Sequence, residues 1–309
     1  MLAGAVGKDL RTGGECTLAA MQWQERITGE TPPSIRIEHQ LRYETAAPLV
    51  RSAPVWLDLG CGAGVAAAAA LRGEGAARAV LVDASEDALH EAARDVPAGA
   101  TVEVVADLAS EDGLNEVRRA LGDARDGVAT CFEVIEHLER YTGVVELLVE
   151  LATQRDFTVV ASVPNDAFWP IESPWHTTMW GEGAFEELRR LLPADHVVAK
   201  QVPMQGSSIV PEGTSALEAP AFAPLPDAVP SHYLVAFGAR AGEILPRSAV
   251  AQTDLAEQRR WERQREANLA FYEDRIQWAQ REFGEWRGYM NELETKLGKT
   301  PTTAPLDFP

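Results

Sequence analysis

The run Val55-Trp56-Leu57-Asp58-Leu59-Gly60-Cys61-Gly62-Ala63-Gly64 constrains this chain more than any other. An apolar stretch with strand character ends in an acidic residue. Three glycines at alternate positions then lead into the helical pattern Val65–Leu71. Glycine is needed where a backbone turns sharply or must approach a ligand without a Cβ in the way. A nicotinamide-binding loop reads GxGxxG and would place its third glycine at position 65. Position 65 is Val, and the pattern is DxGxGxG instead.

The alternation begun there continues to Gly238. Strand candidates are Val55–Leu59, Ala79–Asp83, Val102–Ala106, Ala129–Glu133, Thr158–Val163, His196–Gln201 and His232–Phe237. Helical patterns fall between them at Val65–Leu71, Glu86–Arg94, Gly113–Leu121, Val144–Thr153 and Gly183–Leu192. This is the signature of an α/β, Rossmann-like fold with a seven-stranded, mostly parallel sheet covered by helices on both faces. No strong helix separates the last two strand candidates, so a hairpin and one antiparallel edge strand are expected. Residues 205–231 interrupt the pattern with five prolines, either as a lid over a substrate cleft or as a passive insertion.

The C-terminal part differs in kind. Leu269, Tyr272, Ile276, Ala279, Phe283, Trp286, Met290, Leu293 and Leu297 alternate at spacings of three and four, a heptad seam. It is read either as a long helix folded back on its own domain or as a coiled coil with a second copy, a homodimer through 269–297. The expected organisation is an N-terminal extension over 1–27, a domain over 28–240, a long helix over 249–298 and a flexible tail over 299–309. Three scattered cysteines, Cys16, Cys61 and Cys131, make neither a disulfide framework nor a CxxC metal site. Met1–Leu10 lacks a secretion-signal pattern, and the longest small-apolar stretch, Val65–Leu71, is too short to span a bilayer. A cytoplasmic protein without a membrane span is expected. The formal charge of −19 argues against nucleic acid as a partner, because phosphate binding rests on clustered Lys and Arg.

Nineteen residues after Gly64 the second strand ends at Asp83-Ala84, where a carboxylate can accept both ribose hydroxyls of a nucleoside. Asp107-Leu108 follows the third strand, placed for an adenine amino group. With these residues in place the chain resembles the class I S-adenosylmethionine-dependent methyltransferases from about Thr28 to Gly238. The resemblance implies S-adenosylmethionine as cofactor, with Asp58, Gly60, Cys61, Gly62 and Gly64 near its methionine part. It implies Asp83 and Ala84 at the ribose, and Asp107 and Leu108 at the adenine.

Three further segments narrow the resemblance to methyltransferases of bacterial polysaccharide and sugar biosynthesis. Thr28-Gly29-Glu30 precedes Glu38-His39-Gln40-Leu41-Arg42-Tyr43, with Thr31 where the group's TGER pattern has Arg. Arg42 there suits the methionine carboxylate, since guanidinium pairs bidentately. Glu133-Val134-Ile135-Glu136-His137-Leu138 resembles the EVxEHL signature of small-molecule O-methyltransferases. Pro164-Asn165, His176 and the run Phe185–Leu192 follow in the group's order. If a helical turn starts at Glu133, Glu136 and His137 share its face.

A hydroxyl acceptor needs its proton removed, and a histidine is the economical base. The leading expectation is O-methylation of a sugar, glycan or other small-molecule hydroxyl. His137 or His176 serves as base, with Glu133 orienting an imidazole or the substrate and also touching the cofactor. The rival is a divalent metal held by Glu133, Glu136, His137 and His176, a possible but disfavoured cofactor. Its extreme form is the RNA 2′-O-methyltransferases, which share these letters and which the acidic charge counts against. A non-catalytic cofactor-binding scaffold organised by the coiled coil is the third alternative.

Overall fold

The computed structural model of the chain describes residues 27–28, 31–168, 175–203, 230–244 and 255–300. Nearly all of the expected insertion lies outside the described residues, as do 1–26, 249–254 and 301–309. The chain divides into two compact units, Met1–Gln252 and Thr253–Pro309. Among the described residues no helix is long and apolar enough to cross a membrane.

The first unit runs α1 (Pro33–Ser52), β1 (Val55–Leu59), α2 (Val65–Leu71), β2 (Arg78–Asp83), α3 (Glu86–Asp95) and β3 (Thr101–Val105). It continues with α4 (Glu111–Leu121), β4 (Val128–Phe132), a 3₁₀ turn (Ile135–His137), α5 (Thr142–Gln154) and β5 (Thr158–Pro164). It goes on with α6 (Glu182–Arg189), β6 (Val197–Gln201), β7 (His232–Gly238) and a second 3₁₀ turn (Ala241–Glu243). The second unit contains α7 (Leu255–Lys296). Helix starts follow capping chemistry. Ser85 and Ser110 accept from the backbone N–H groups of Ala88 and Gly113, and acidic residues fill both first turns. The cap at Ser110 is why α4 begins two residues before the expected Gly113.

The seven strands lie in the order β3-β2-β1-β4-β5-β7-β6. The first five are parallel, and β7 runs antiparallel to both β5 and β6. The expected antiparallel strand is therefore β7, one place in from the edge strand β6. Strand β1 is buried along its whole length and divides its side chains between two cores. Leu57 and Leu59 pack with Val117 and Leu121 of α4 and Leu147, Leu148 and Leu151 of α5. Trp56 points the other way, into a core with Leu49 and Val50 of α1, Ala67 and Ala70 of α2, and Leu89 of α3. Strand order reverses between β1 and β4, and in such sheets ligands bind outside the carboxyl ends of the strands at that point.

One polar residue is built into this packing. Asp58 is fully buried. It accepts from Tyr43 Oη at 3.0 Å and from Thr130 Oγ1 at 2.6 Å, which ties α1, β1 and β4 together. Thr130 in turn accepts from the Trp56 indole N–H at 2.8 Å. Burial pushes the Asp58 carboxyl up to about 7, against the hydrogen bonds from Thr130 and Tyr43 that favour its charged form. A carboxyl raised on folding binds its proton more tightly in the native state. Its contribution therefore falls as pH rises from about 4, where the unfolded chain ionises, to about 7, where the native group does. Asp58→Asn removes that dependence. The unfolding free energy of wild type relative to the variant falls by about 1.4 kcal/mol per pH unit across this window. Denaturant titrations at a series of pH values measure the slope, and parallel curves contradict it.

Candidate active site

The carboxyl ends of β1, β2, β4 and β5 carry most of the residues singled out by the sequence. In the loop after β1, Gly60, Gly62 and Gly64 all have positive φ, at 71°, 53° and 72°. A Cβ on Gly60 would stand 2.3 Å from Val134 Cγ2, so this glycine lets the loop close against the segment after β4. A Cβ on Gly62 would meet nothing within 4 Å among the described residues, leaving open space on that side of the loop. Asp83 braces the loop. Its two carboxylate oxygens accept from Gly62 N at 3.0 Å and Ser85 N at 2.9 Å.

The other expected cofactor residues are placed differently. Asp58 is buried against Tyr43 and Thr130 rather than exposed at the loop. Cys61 is buried beside Ala67 and Leu71, and burial of Leu108 puts its side chain in the core with Leu114 and Val117. Ala84 is exposed, and so is Asp107, which accepts from Ala109 N at 2.9 Å.

The turn after β4 is the centre of the site. The expected helical turn starting at Glu133 is not what forms. Glu133 has φ of 55°, a left-handed conformation that ends the strand at Phe132, and the 3₁₀ turn begins only at Ile135. The two glutamates consequently diverge. Glu133 Oε1 accepts from Ser162 Oγ at 2.7 Å. Its Oε2 lies 3.0 Å from His232 Nε2 and 3.9 Å from Arg42 Nη2. Burial alone would raise the Glu133 carboxyl, but the charges of Arg42 and then His232 hold it well below the usual carboxylate range. The imidazole paired with Glu133 is therefore that of His232, not His137 or His176.

Glu136 turns the other way. Its side chain is buried, and neither carboxylate oxygen has a hydrogen-bond partner among the described residues. Burial, and then the negative charge of Glu133, push its carboxyl well above the usual range. Beside it the His137 and His176 rings meet edge to face, 5.2 Å between centroids. One ligand-type atom from each of Glu136, His137 and His176 lies within 4.8 Å of the others. Glu133, the fourth expected metal ligand, is not in this group.

Backbone contacts explain why the two histidines converge. The Glu136 carbonyl accepts from Thr177 N at 2.8 Å, and the Trp175 carbonyl lies 3.2 Å from His137 Nδ1. The segment bearing His176 is thereby bound to the turn bearing His137. His176 Nδ1 also lies 2.8 Å from Asp166 Oδ1. A proton on Nδ1 in each ring makes Nε2 the lone-pair nitrogen.

Arg42 is 1% exposed. Nη1 donates to Gln201 Oε1 at 3.0 Å, while Nε and Nη2 have no hydrogen-bond partner among the described residues. Those two donors form one edge of the guanidinium, the edge that grips a carboxylate bidentately. Sequence reasoning missed His232 and Asp166. His232 opens an antiparallel strand, so it pairs with Pro164 at the carboxyl end of β5; that direction of β7 was the available signal. Asp166 follows the Pro164-Asn165 pair, and only the tertiary fold brings His176 to it.

A family profile described as a methyltransferase domain matches residues 37–200, more than half of the chain. Among solved structures, the small RNA methyltransferase HEN1 is similar with 18% identity and a TM-score of 0.43, over 69% of this chain and 27% of that one. An S-adenosylmethionine-dependent methyltransferase from Archaeoglobus fulgidus has 15% identity and a TM-score of 0.42, over 64% and 91%. The N-methyltransferase NodS from Bradyrhizobium japonicum WM9, solved with S-adenosyl-L-homocysteine, has 15% identity and a TM-score of 0.41, over 67% and 88%. No curated protein matches. These structural likenesses concern the fold alone. By the match over residues 37–200, the chain belongs to the methyltransferase domain family.

Proposed function

We propose that the protein transfers the methyl group of S-adenosylmethionine to a hydroxyl of a sugar, glycan or other small molecule, with His176 as the base. The observation that carries this reading is the Asp166–His176 pair, 2.8 Å long, set beside Glu136 and His137 at the carboxyl ends of β4 and β5. The residues fit the cofactor. The open side of Gly62 allows close approach of a ligand, Asp83 stands at the end of β2, where a carboxylate suits ribose hydroxyls, and the buried edge of Arg42 suits the methionine carboxylate. When bound, S-adenosylmethionine supplies a methyl group already activated by its sulfonium.

The chain's own task is alignment and proton removal. Asp166 holds His176 with Nδ1 protonated, so Nε2 takes the proton of the acceptor hydroxyl. Asp166 then stabilises the imidazolium that results. Burial and the charge of Glu133 push the Glu136 carboxyl well above the usual range, which disfavours a competing anion in that region. The net charge of −19 favours an uncharged acceptor over one bearing phosphates. The sugar or glycan class rests on the resemblance of Arg42, the turn after β4 and His176 to the polysaccharide-linked group.

The Glu136 carboxylate, without a hydrogen-bond partner among the described residues and with Oε1 4.0 Å from His137 Nε2, favours a second reading, in which Glu136, His137 and His176 hold a divalent cation. One carboxylate and two imidazoles are a donor set suited to Zn, Mn or Fe. The Asp166–His176 contact is the carboxylate support that metal-bound histidines commonly have. The cation would act there as a Lewis acid on an acceptor oxygen. Glu136 would have to lose its proton on binding, so affinity would rise with pH.

Two sets of variants test these readings. With His176 as base, His176→Ala lowers kcat by about 10²-fold or more, Asp166→Asn lowers it less, and cofactor affinity holds. Wild-type activity then survives a chelator. Loss of activity with chelator and recovery on adding a divalent ion overturns the base reading in favour of the cation. Unchanged kcat in His176→Ala without metal dependence contradicts both. Separately, Arg42→Lys keeps the charge but loses the bidentate edge. It raises KM for S-adenosylmethionine by about 10- to 100-fold with little change in saturated kcat. An unchanged KM removes Arg42 from the cofactor site.

A further inference from the structure

Helix α7 is 42 residues long, and its heptad seam faces water. Leu269, Ile276 and Trp286 are 52%, 58% and 63% exposed, and Leu297, in the turn just past the helix, is 72% exposed. The seam from 269 to 297 spans about 42 Å at 1.5 Å per residue. Exposing such a stripe is unfavourable, and long helices draw most of their stability from covering it. Gly284 and Gly288, which weaken the helix by roughly 1 kcal/mol each, both fall at outward positions of the heptad. They leave no hole in the seam.

We propose that α7 is the dimerisation element of the protein, pairing with α7 of a second copy as a parallel, in-register coiled coil. Leu269, Ile276, Phe283, Met290 and Leu297 take the a positions, and Tyr272, Ala279, Trp286 and Leu293 the d positions. In-register pairing stacks each of these against its own copy. The flanking charges select the direction. A parallel pair sets the g residue of one helix against the e residue five places on in the other. That places Glu282 opposite Arg287 twice by symmetry, and the remaining pairs (Asn268 with Glu273, Arg275 with Gln280, Tyr289 with Glu294) bring no like charges together. The antiparallel pair that overlaps this seam keeps two attractive contacts, Glu273 with Arg287, but adds a Glu282–Glu282 repulsion that the parallel pair lacks. This inference is independent of the methyl-transfer reading.

Sedimentation of the full-length chain tests it. Wild type sediments at twice the 33.6 kDa chain mass and dissociates on dilution, while Ile276→Glu with Trp286→Glu sediments as a monomer. Far-UV circular dichroism of the first unit's signal and retained cofactor binding check that this variant is folded. Glu282→Arg and Arg287→Glu, made singly, each weaken the dimer by roughly tenfold, and the double exchange restores it. A wild-type monomer at all concentrations, meaning a seam covered by its own chain or by another protein, overturns the proposal, as does a trimer. A double exchange weaker than either single variant overturns the parallel register.

Discussion

A single left-handed residue at the end of β4 sends two glutamates three positions apart into opposite environments. Glu133, with φ of 55°, stops the strand and faces Arg42 and His232, whose charges keep it ionised. Glu136 turns inward beside the histidines, where burial and the charge of Glu133 push its carboxyl well above the usual range. Divergent environments of this kind mark carboxylates with different chemical duties. A left-handed non-glycine residue costs of order 1–3 kcal/mol, and here Ser162, His232 and the well-packed Ile135 hold it in place.

The rest of the site hangs on that turn. Val134 packs over Gly60, so the glycine loop can sit only where the turn leaves room for it. The Glu136 carbonyl holds Thr177 and thereby the loop that carries His176. Behind these, Asp58 joins α1 to β1 and β4 through Tyr43 and Thr130, and α1 brings Arg42 to Glu133. The cofactor side and the acceptor side of the proposed reaction are thus two faces of one short segment. Buried groups such as Arg42 and Glu136, with polar atoms that lack hydrogen-bond partners among the described residues, weaken a fold, which supports the ligand roles proposed for them.

Much of this was legible from local pattern. Strand–helix alternation marked the sheet because fully buried strands and amphipathic helices have different hydrophobic periods. The glycines marked the loop because its positive φ angles favour them and because Gly60 must pass close to Val134. The dispersal of the four expected metal ligands was not legible. The spacing of Glu133, Glu136 and His137 suggested one helical face, whereas the left-handed φ at Glu133 breaks the period that this argument assumes. His232 and Asp166 were hidden for another reason. Each acquires its partner only when distant strands pair, β7 beside β5 and the 175–178 segment against the turn. The carboxylate of Asp58 was legible as a motif letter but not as a buried anchor, since its partners lie 15 and 72 residues away.

The sorting of Glu133 from Glu136 is measured most directly by ¹³C nuclear magnetic resonance of side-chain carboxyls in glutamate-labelled protein, titrated with chelator present. Glu133→Gln and Glu136→Gln assign the two signals. The predicted result is that Glu133 stays ionised to well below the usual carboxylate range, while Glu136 remains protonated well above it. Two carboxyls titrating together within the ordinary range would contradict the account.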